Sequence, residues 1–532
     1  MVGVLATGLV LLVPLVALVL TAAATFESAA LVHLARTVLL ETIVVSTLLA
    51  AGTLAGTIAL GVGCAWCIER HEFPLRGLLA WMLVLPLAMP TYVIAYAYTD
   101  LLQYSGPLQR WLRLSWGFEG RLPDVRSLPG AIVLFSFVFY PYVYLMARTA
   151  LAELSASTVE SARLLGRGRR GVFWGVVRPL IMPSVVAGAM LVLMETLADV
   201  GATHYFGLNT FSAGIYKTWF ALGNRGAALM LAVVLLAAVV VVHQIERRAR
   251  GRAQQVTSRA YRPWAPETLP TRRGLALAAL LSFPILIGFA IPVGALVWLL
   301  LREPEMTPTL GRFWHWAANS FVAGTLGATL TLLVAVAFAY ATRFSEAGQA
   351  RLVRCTAGAL KFGYAVPGAV IALAILWPVA IADRAITDAI GLSGSLLTNT
   401  IVGVLYAYLL RFFAVAYGGV EASMQRITPS LDAAARTLGA SRLAVFRRVH
   451  VPLLKRAAMV AWLLVMIDVM KELPATLMLR PFNFDTLAVI AQQLSQDERL
   501  AEAALPSLAI VAIGTIPVMI ISRLMQRPPV RN

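Results

Sequence analysis

A polar segment occurs twice in this chain, 273 residues apart. The first copy runs from Ala162 and Arg163 through Gly166, Arg169, Val172 and Phe173 to Val176, Pro179 and Leu180. The second runs from Ala435 and Arg436 through Gly439, Arg442, Val445 and Phe446 to Val449, Pro452 and Leu453. Ten of nineteen aligned positions are identical, in a stretch too polar for apolar composition to produce the match. An internal repeat fixes architecture before any local reading does. This chain is two halves, each carrying one polar, partly helical loop between very apolar segments.

Those apolar segments set the fold class. Hydrophobic residues make up 59% of the chain and charged residues 13%, with mean hydropathy +0.79, against roughly 25% charged in a soluble domain. Runs of the length that crosses a bilayer as a helix recur at 3–24, 38–66, 77–99, 130–152, 184–205, 226–245, 274–301, 317–342, 356–382, 398–422, 457–478 and 504–523. That predicts an all-α integral membrane protein of about twelve spans. The runs are continuous, unlike the ten-residue alternation of a membrane β-barrel. No Lys or Arg precedes the first run, which lacks the basic start of a secretory signal and reads as a retained helix.

Orientation follows from basic residues. Placing both repeated loops in the cytoplasm puts 29 of the 44 Lys and Arg on that side and 12 on the other. The net charge of +18 is thereby a topology signal. The Arg residues are spread over loops between spans, which argues against a nucleic-acid partner. Six spans separate the two loops, so the halves share one topology and relate by a pseudo-two-fold along the membrane normal. We divide the chain into a first half, 1–245, an Arg/Pro-rich cytoplasmic linker, 246–273, and a second half, 274–532. The loops lie at about 154–180 and 425–455.

Catalytic chemistry is absent from the sequence. Cys64 and Cys67 form a lone CxxC, a weak metal or redox signal, and the six His show no metal-ligand spacing. None of the four lysines, Lys217, Lys361, Lys455 and Lys471, stands in a phosphate-binding Gly-Lys-Ser/Thr context. ATP-driven work requires a second polypeptide, and no cofactor is expected on this one.

Each loop is followed by a span with two acids at i, i+4: Glu195 and Asp199, then Asp468 and Glu472, again 273 apart. On one continuous helix they face the same side, near mid-membrane. Ionisable groups at that depth line a pathway or pair with each other, and Lys471 is a candidate partner.

The first loop, with Glu160, Ala162, Gly166 and Pro179, resembles the "EAA" loop of bacterial ABC importer permeases. The second departs from it: Ala433 holds the Glu position and Asp432 is the nearest acid. The resemblance implies two tandem six-helix type I permease halves whose loop helices dock in grooves of a cytoplasmic ATPase dimer that carries the ATP and Mg. Under that reading Gly166 and Gly439 end the helices by taking positive φ. Phe173 and Phe446 are apolar knobs, and Arg163, Arg169, Arg436 and Arg442 supply charge. The remaining docking positions are Ala162, Ala435, Pro179 and Pro452. A bare amphipathic helix on lipid does not explain duplication at equal spacing.

The strings around the acids are narrower. Glu195 to Phe220, with Asp199, Thr203 and Gly207, looks like the first half of ferric-iron ABC permeases. Lys471 to Ala488, with Thr476, Arg480 and Asp485, looks like their second half. The resemblance implies an inner-membrane permease fed by a periplasmic binding protein. Carboxylates suit a hard cation such as Fe³⁺, and equally cationic thiamine or a polyamine; related permeases also carry phosphonates. An ion-coupled secondary transporter shares the helices and acids but gives no reason for the paired loops, and a non-transporting scaffold gives none for the acids. Pro90 and Pro367, in matched segments of the third and ninth spans, are expected to kink their helices and to serve as a fulcrum when the halves rock in alternating access.

Overall fold

The computed structural model describes residues 2–24, 39–251, 264–303, 308–391 and 395–526. Helices dominate them. In chain order the first stretch holds α1 (Val2–Ala24), α2 (Leu40–Arg70), α3 (Thr91–Leu102), α4 (Leu128–Ala152), α5 (Ala156–Leu164), α6 (Arg178–Ala198), α7 (Gly201–Tyr205), α8 (Phe211–Phe220) and α9 (Arg225–Gly251). The second holds α10 (Thr271–Ile285), α11 (Ile291–Arg302), α12 (Leu310–Phe344), α13 (Ala347–Lys361), α14 (Gly368–Ile390) and α15 (Ile401–Gln425). It continues with α16 (Pro429–Thr437), α17 (Val451–Lys471), α18 (Pro474–Leu479), α19 (Leu487–Gln496) and α20 (Leu500–Gln526). Residues 252–263, the middle of the expected linker, lie outside the described residues.

Two compact units do not run in chain order. One joins Met1–Glu27 to Thr309–Ile490, and the other joins Ser28–Pro308 to Ala491–Asn532. Within the first unit α1 packs on α13 and α14, and α12 packs on α15 and α17. Within the second, α2 packs along α4 and α6, while α11 packs against α20 and α3.

Close packing in the second unit rests on small residues. A Cβ on Gly52 would lie 2.7 Å from Ile132 Cδ1, and one on Gly56 would lie 2.2 Å from Ser136 Oγ. Both glycines therefore admit α4 against the α2 backbone. In lipid, where burial supplies little drive, such approach carries helix association. Where the expected linker ends, β1 (His71–Glu72) pairs in parallel with β2 (Glu267–Thr268). Arg70 locks the join: it donates to the Trp264 carbonyl at 2.9 Å, with its guanidinium 3.3 Å from the indole centroid.

Among the described residues nine helices are long and apolar enough to span, or ten if one bent pair counts as a single span. Twelve were expected. The third expected span breaks at Pro90 into Arg76–Ala88 and Thr91–Trp116, bent by 92°. The eleventh, α17, carries Lys455, Arg456, Asp468 and Lys471. The last has only Leu500–Ile516 as its described apolar portion.

The prolines expected to kink spans instead end them. Leu85–Ala88 and Phe362–Ala365 are both single 3₁₀ turns, followed by extended Met89 (ψ 115°) and Val366 (ψ 126°), and Pro90 and Pro367 begin new helices. Proline pushes the residue before it out of the helical region and is itself suited to a helix start.

Candidate functional site

Both repeated loops are built alike. The helix α5 ends when Gly166 takes φ +81°, with Gly166 N donating to Arg163 O (2.9 Å) and Arg167 N to Ala162 O (3.1 Å). The helix α16 ends when Gly439 takes φ +80°, with Gly439 N to Arg436 O (2.9 Å) and Ala440 N to Ala435 O (3.1 Å). This pair of bonds is the Schellman cap, which favours glycine because its left-handed residue cannot carry a Cβ without strain.

Each loop then joins its span through one π-helical turn, Phe173–Val177 and Phe446–His450. A third such turn, Leu286–Ala290, precedes α11. In all three, proline (Pro179, Pro452, Pro292) stands two residues beyond the turn. Proline has no N–H and its ring crowds the carbonyl four residues back, so the preceding turn widens. That accounts for the proline in both loops without reference to docking.

Exposure differs from the sequence expectation. Glu160, Arg163, Gly166, Pro179, Arg436, Gly439 and Pro452 are exposed, Ala162 is buried and Ala435 half-buried. Phe173 and Phe446 are half-buried rather than projecting: Phe173 stacks edge-on to Trp66 (5.1 Å) and Phe446 to Tyr340 (5.0 Å). The apolar side chains that do project are Leu164 and Leu165 (88% and 82% exposed) and Leu438 (87%). The sequence reading passed over these leucines because it followed identity between the copies. Asp432 is buried, held by His450 and Arg343. Burial works against its charge, but the hydrogen bonds from His450 and Arg343 outweigh it and hold the carboxyl below its ordinary pKa.

The intramembrane acids were expected on one face of a continuous helix. Instead each helix stops between them: α6 ends at Ala198 and α17 at Lys471, and Asp199 and Glu472 are extended. Their carboxylates turn onto the next short helix. Asp199 accepts from Thr203 N (2.9 Å) and from the Thr91 hydroxyl. Glu472 accepts from Ala475 N and Thr476 N, both at 2.9 Å, and from Thr476 Oγ1 at 2.6 Å. Breaking a helix in an apolar setting frees backbone groups that cost several kcal/mol if unmet, and these carboxylates meet them. Glu195 and Asp468 sit one turn earlier, half-buried.

The second unit also holds a polar cluster that no sequence spacing signals. Tyr96 donates to Gln492, Gln496 to His204 Nδ1 at 2.6 Å, and Arg126 to Tyr205 Oη at 3.0 Å. Among the described residues no three His, Cys, Asp or Glu side chains gather as a metal site.

Residues 57–251 and 350–528, one segment from each half, match the family of binding-protein-dependent transport system inner membrane components. The chain belongs to this family. It is 24% identical over 88% of its length to the Fe(3+)-transport system permease protein FbpB 2 of Haemophilus influenzae, covering 87% of that protein. The molybdenum transport system permease protein ModB of Escherichia coli is 26% identical over 35% of the chain and 82% of its own length. The sulfate transport system permease protein CysT of Escherichia coli is 30% identical over 28% of the chain and 52% of its own length. The protein is an all-α, multi-pass permease of an ABC importer.

Proposed function

We propose that this permease carries ferric iron across the bacterial inner membrane by alternating access. A periplasmic binding protein delivers the ion, and a cytoplasmic ATPase dimer drives it through the two repeated loops. The observation that carries the reading is the match of both halves at once to a permease named for Fe(3+), over 88% of the chain, whereas the molybdenum and sulfate permeases match one segment each. The paired Gly-capped loops support docking at two equivalent grooves. Their exposed Leu164, Leu165 and Leu438 are better placed than Phe173 and Phe446 to fill them. Of the four carboxylates proposed for the route, Glu195 and Asp468 are the better placed. Asp199 and Glu472 already hold backbone amides.

Uptake of radiolabelled iron, thiamine, molybdate and 2-aminoethylphosphonate in cells carrying the whole operon, with and without this chain, tests the substrate. Iron uptake that depends on the chain is expected, and dependence of one of the others in its place overturns the iron reading. Sidedness is checked by single cysteines. Leu438→Cys should react only from the cytoplasm and Leu222→Cys only from outside.

A further inference from the structure

The two loops descend from one duplicated segment, so each position in one can be set against its counterpart in the other. In the first half Val159 of α5 and Val177 of the π turn are both buried, at 1% and 0% exposure. The loop helix is seated there by apolar side chains. At the same places 273 residues on stand Asp432 and His450, a carboxylate and an imidazole equally enclosed, His450 at 0%. His450 Nε2 donates to Asp432 Oδ1 at 2.7 Å. The other oxygen, Oδ2, accepts from Arg343 Nε at 2.8 Å.

Arg343 does more than neutralise this acid. Its remaining nitrogens donate to Met424 O at 2.8 Å and to Ile427 O at 2.9 Å. One guanidinium thus ties the inner end of α12 to the end of α15 and to the loop helix α16. Phe344 stacks on the His450 ring at 5.4 Å and carries Arg436 on its face, also at 5.4 Å.

The first half spends its charges differently. Arg343 corresponds to Glu69 at the end of α2, which accepts from Arg148 of α4 at 2.8 Å. Arg148 corresponds in turn to Glu421, which takes Lys361 at 2.6 Å. The signs are inverted between the halves. In the first half the ion pair joins two span ends and leaves the loop helix out. In the second it is redirected into the loop helix.

We propose that Arg343, Asp432 and His450 are positioning residues that latch the second loop helix to α12, making it a stiff arm, while the first loop rides on an apolar seat. The two loops are therefore mechanically unequal, although their caps and π turns match. A charge-assisted hydrogen bond is directional and about twice as strong as a neutral one. Apolar contact is not directional, so a seat made of it permits sliding that a latch does not. The consequence for transport rests on the reading of these loops as ATPase docks; the stiffness itself does not.

Nitroxide labels at Ser430, and at its counterpart Ser157, read loop mobility on the full-length protein in lipid without any partner. In Asp432→Val/His450→Val, which installs the first-half pair, the label at Ser430 should become several-fold more mobile and that at Ser157 should not change. Asp432→Asn keeps both hydrogen bonds and should stay close to wild type, which a simple loss of packing would not distinguish. Reconstituted with the ATPase and binding protein, the double variant should transport several-fold less substrate per ATP. Unchanged mobility at Ser430 in the double variant overturns the latch. So does equal mobilisation at Ser157. If the wild-type chain fails to stimulate the ATPase, the docking reading falls while the mobility result still decides the latch.

Discussion

Asp199 and Glu472 hold the same backbone conformation 273 residues apart, φ −67° and ψ 125° in one and φ −68° and ψ 123° in the other. Each ends a long helix and turns its carboxylate onto the amides that follow, Thr203 in the first half and Ala475 and Thr476 in the second. The surroundings differ by one exchange. Thr91, just after Pro90, donates its hydroxyl to Asp199. After Pro367 the residue is Gly368, and a Cβ there would lie 2.6 Å from Glu472 Oε1 and 2.9 Å from an Arg411 guanidinium nitrogen. The longer acid of the second half needs the room that the threonine occupies in the first.

Removing both caps tests what these acids do. Asp199→Ala and Glu472→Ala should each lower stability by roughly 1–3 kcal/mol, the cost of leaving buried amides unmet. Uptake per inserted molecule should then fall with stability in these variants, and fall without a stability change in Glu195→Gln/Asp468→Asn. Melting in detergent paired with normalised iron uptake checks both. A wild-type melting point for Asp199→Ala would reject the capping role.

Gly368→Ala is expected to be worse than Thr91→Ala. The added methyl meets a carboxylate, a guanidinium and, at 3.1 Å, the Ala475 amide nitrogen, none of which can withdraw without giving up a bond. Overpacking of this kind costs about 1–3 kcal/mol, whereas Thr91→Ala removes one donor to Asp199. The melting point of Gly368→Ala should lie below that of Thr91→Ala.

The repeat, the helical membrane class and the two loops were legible in the sequence because each leaves a local signature: a fixed offset, an apolar run, a Gly followed by Pro. The span count was not. Hydropathy does not show that Met89-Pro90 turns one apolar run through 92°. Nor does it show that four charges interrupt α17. The acids at i, i+4 were read as one helical face because spacing assumes an unbroken helix. The break becomes intelligible only with Thr203 and Thr476 in place four residues after each acid. The pairing of Tyr96 with Gln492 spans 396 residues, and nothing local announces it.

Acid should unlatch Asp432. Its folded pKa lies below the ordinary carboxylate value, which is about 3.9 in an unfolded chain. The stabilisation is therefore present above that value and lost as pH falls through the depressed folded one. Wild type should melt above Asp432→Asn by a constant margin from pH 7 down to about pH 4, and the margin should close below it. A margin that closes between pH 7 and pH 6 would mean that Asp432 does not carry this charge.

The docking loops give the last test. Gly166 and Gly439 donate their own N–H inside the cap at φ near +80°. Proline offers neither the N–H nor the angle. Gly166→Pro or Gly439→Pro should abolish uptake while the protein still inserts, and alanine at either position should cost about 1–2 kcal/mol of local strain and leave partial uptake. Leu164→Asp and Leu438→Asp alter no cap and no buried contact, since both side chains are almost fully exposed. If these leucines enter grooves of the ATPase, each aspartate should weaken its co-purification about tenfold or more, the scale of a lost interface anchor, with insertion and melting unchanged. Glu160→Ala should be milder, because Ala433 already stands at the matching place in the second loop. Wild-type co-purification of the ATPase with both aspartate variants would remove the leucines from the interface and return the search to the exposed arginines.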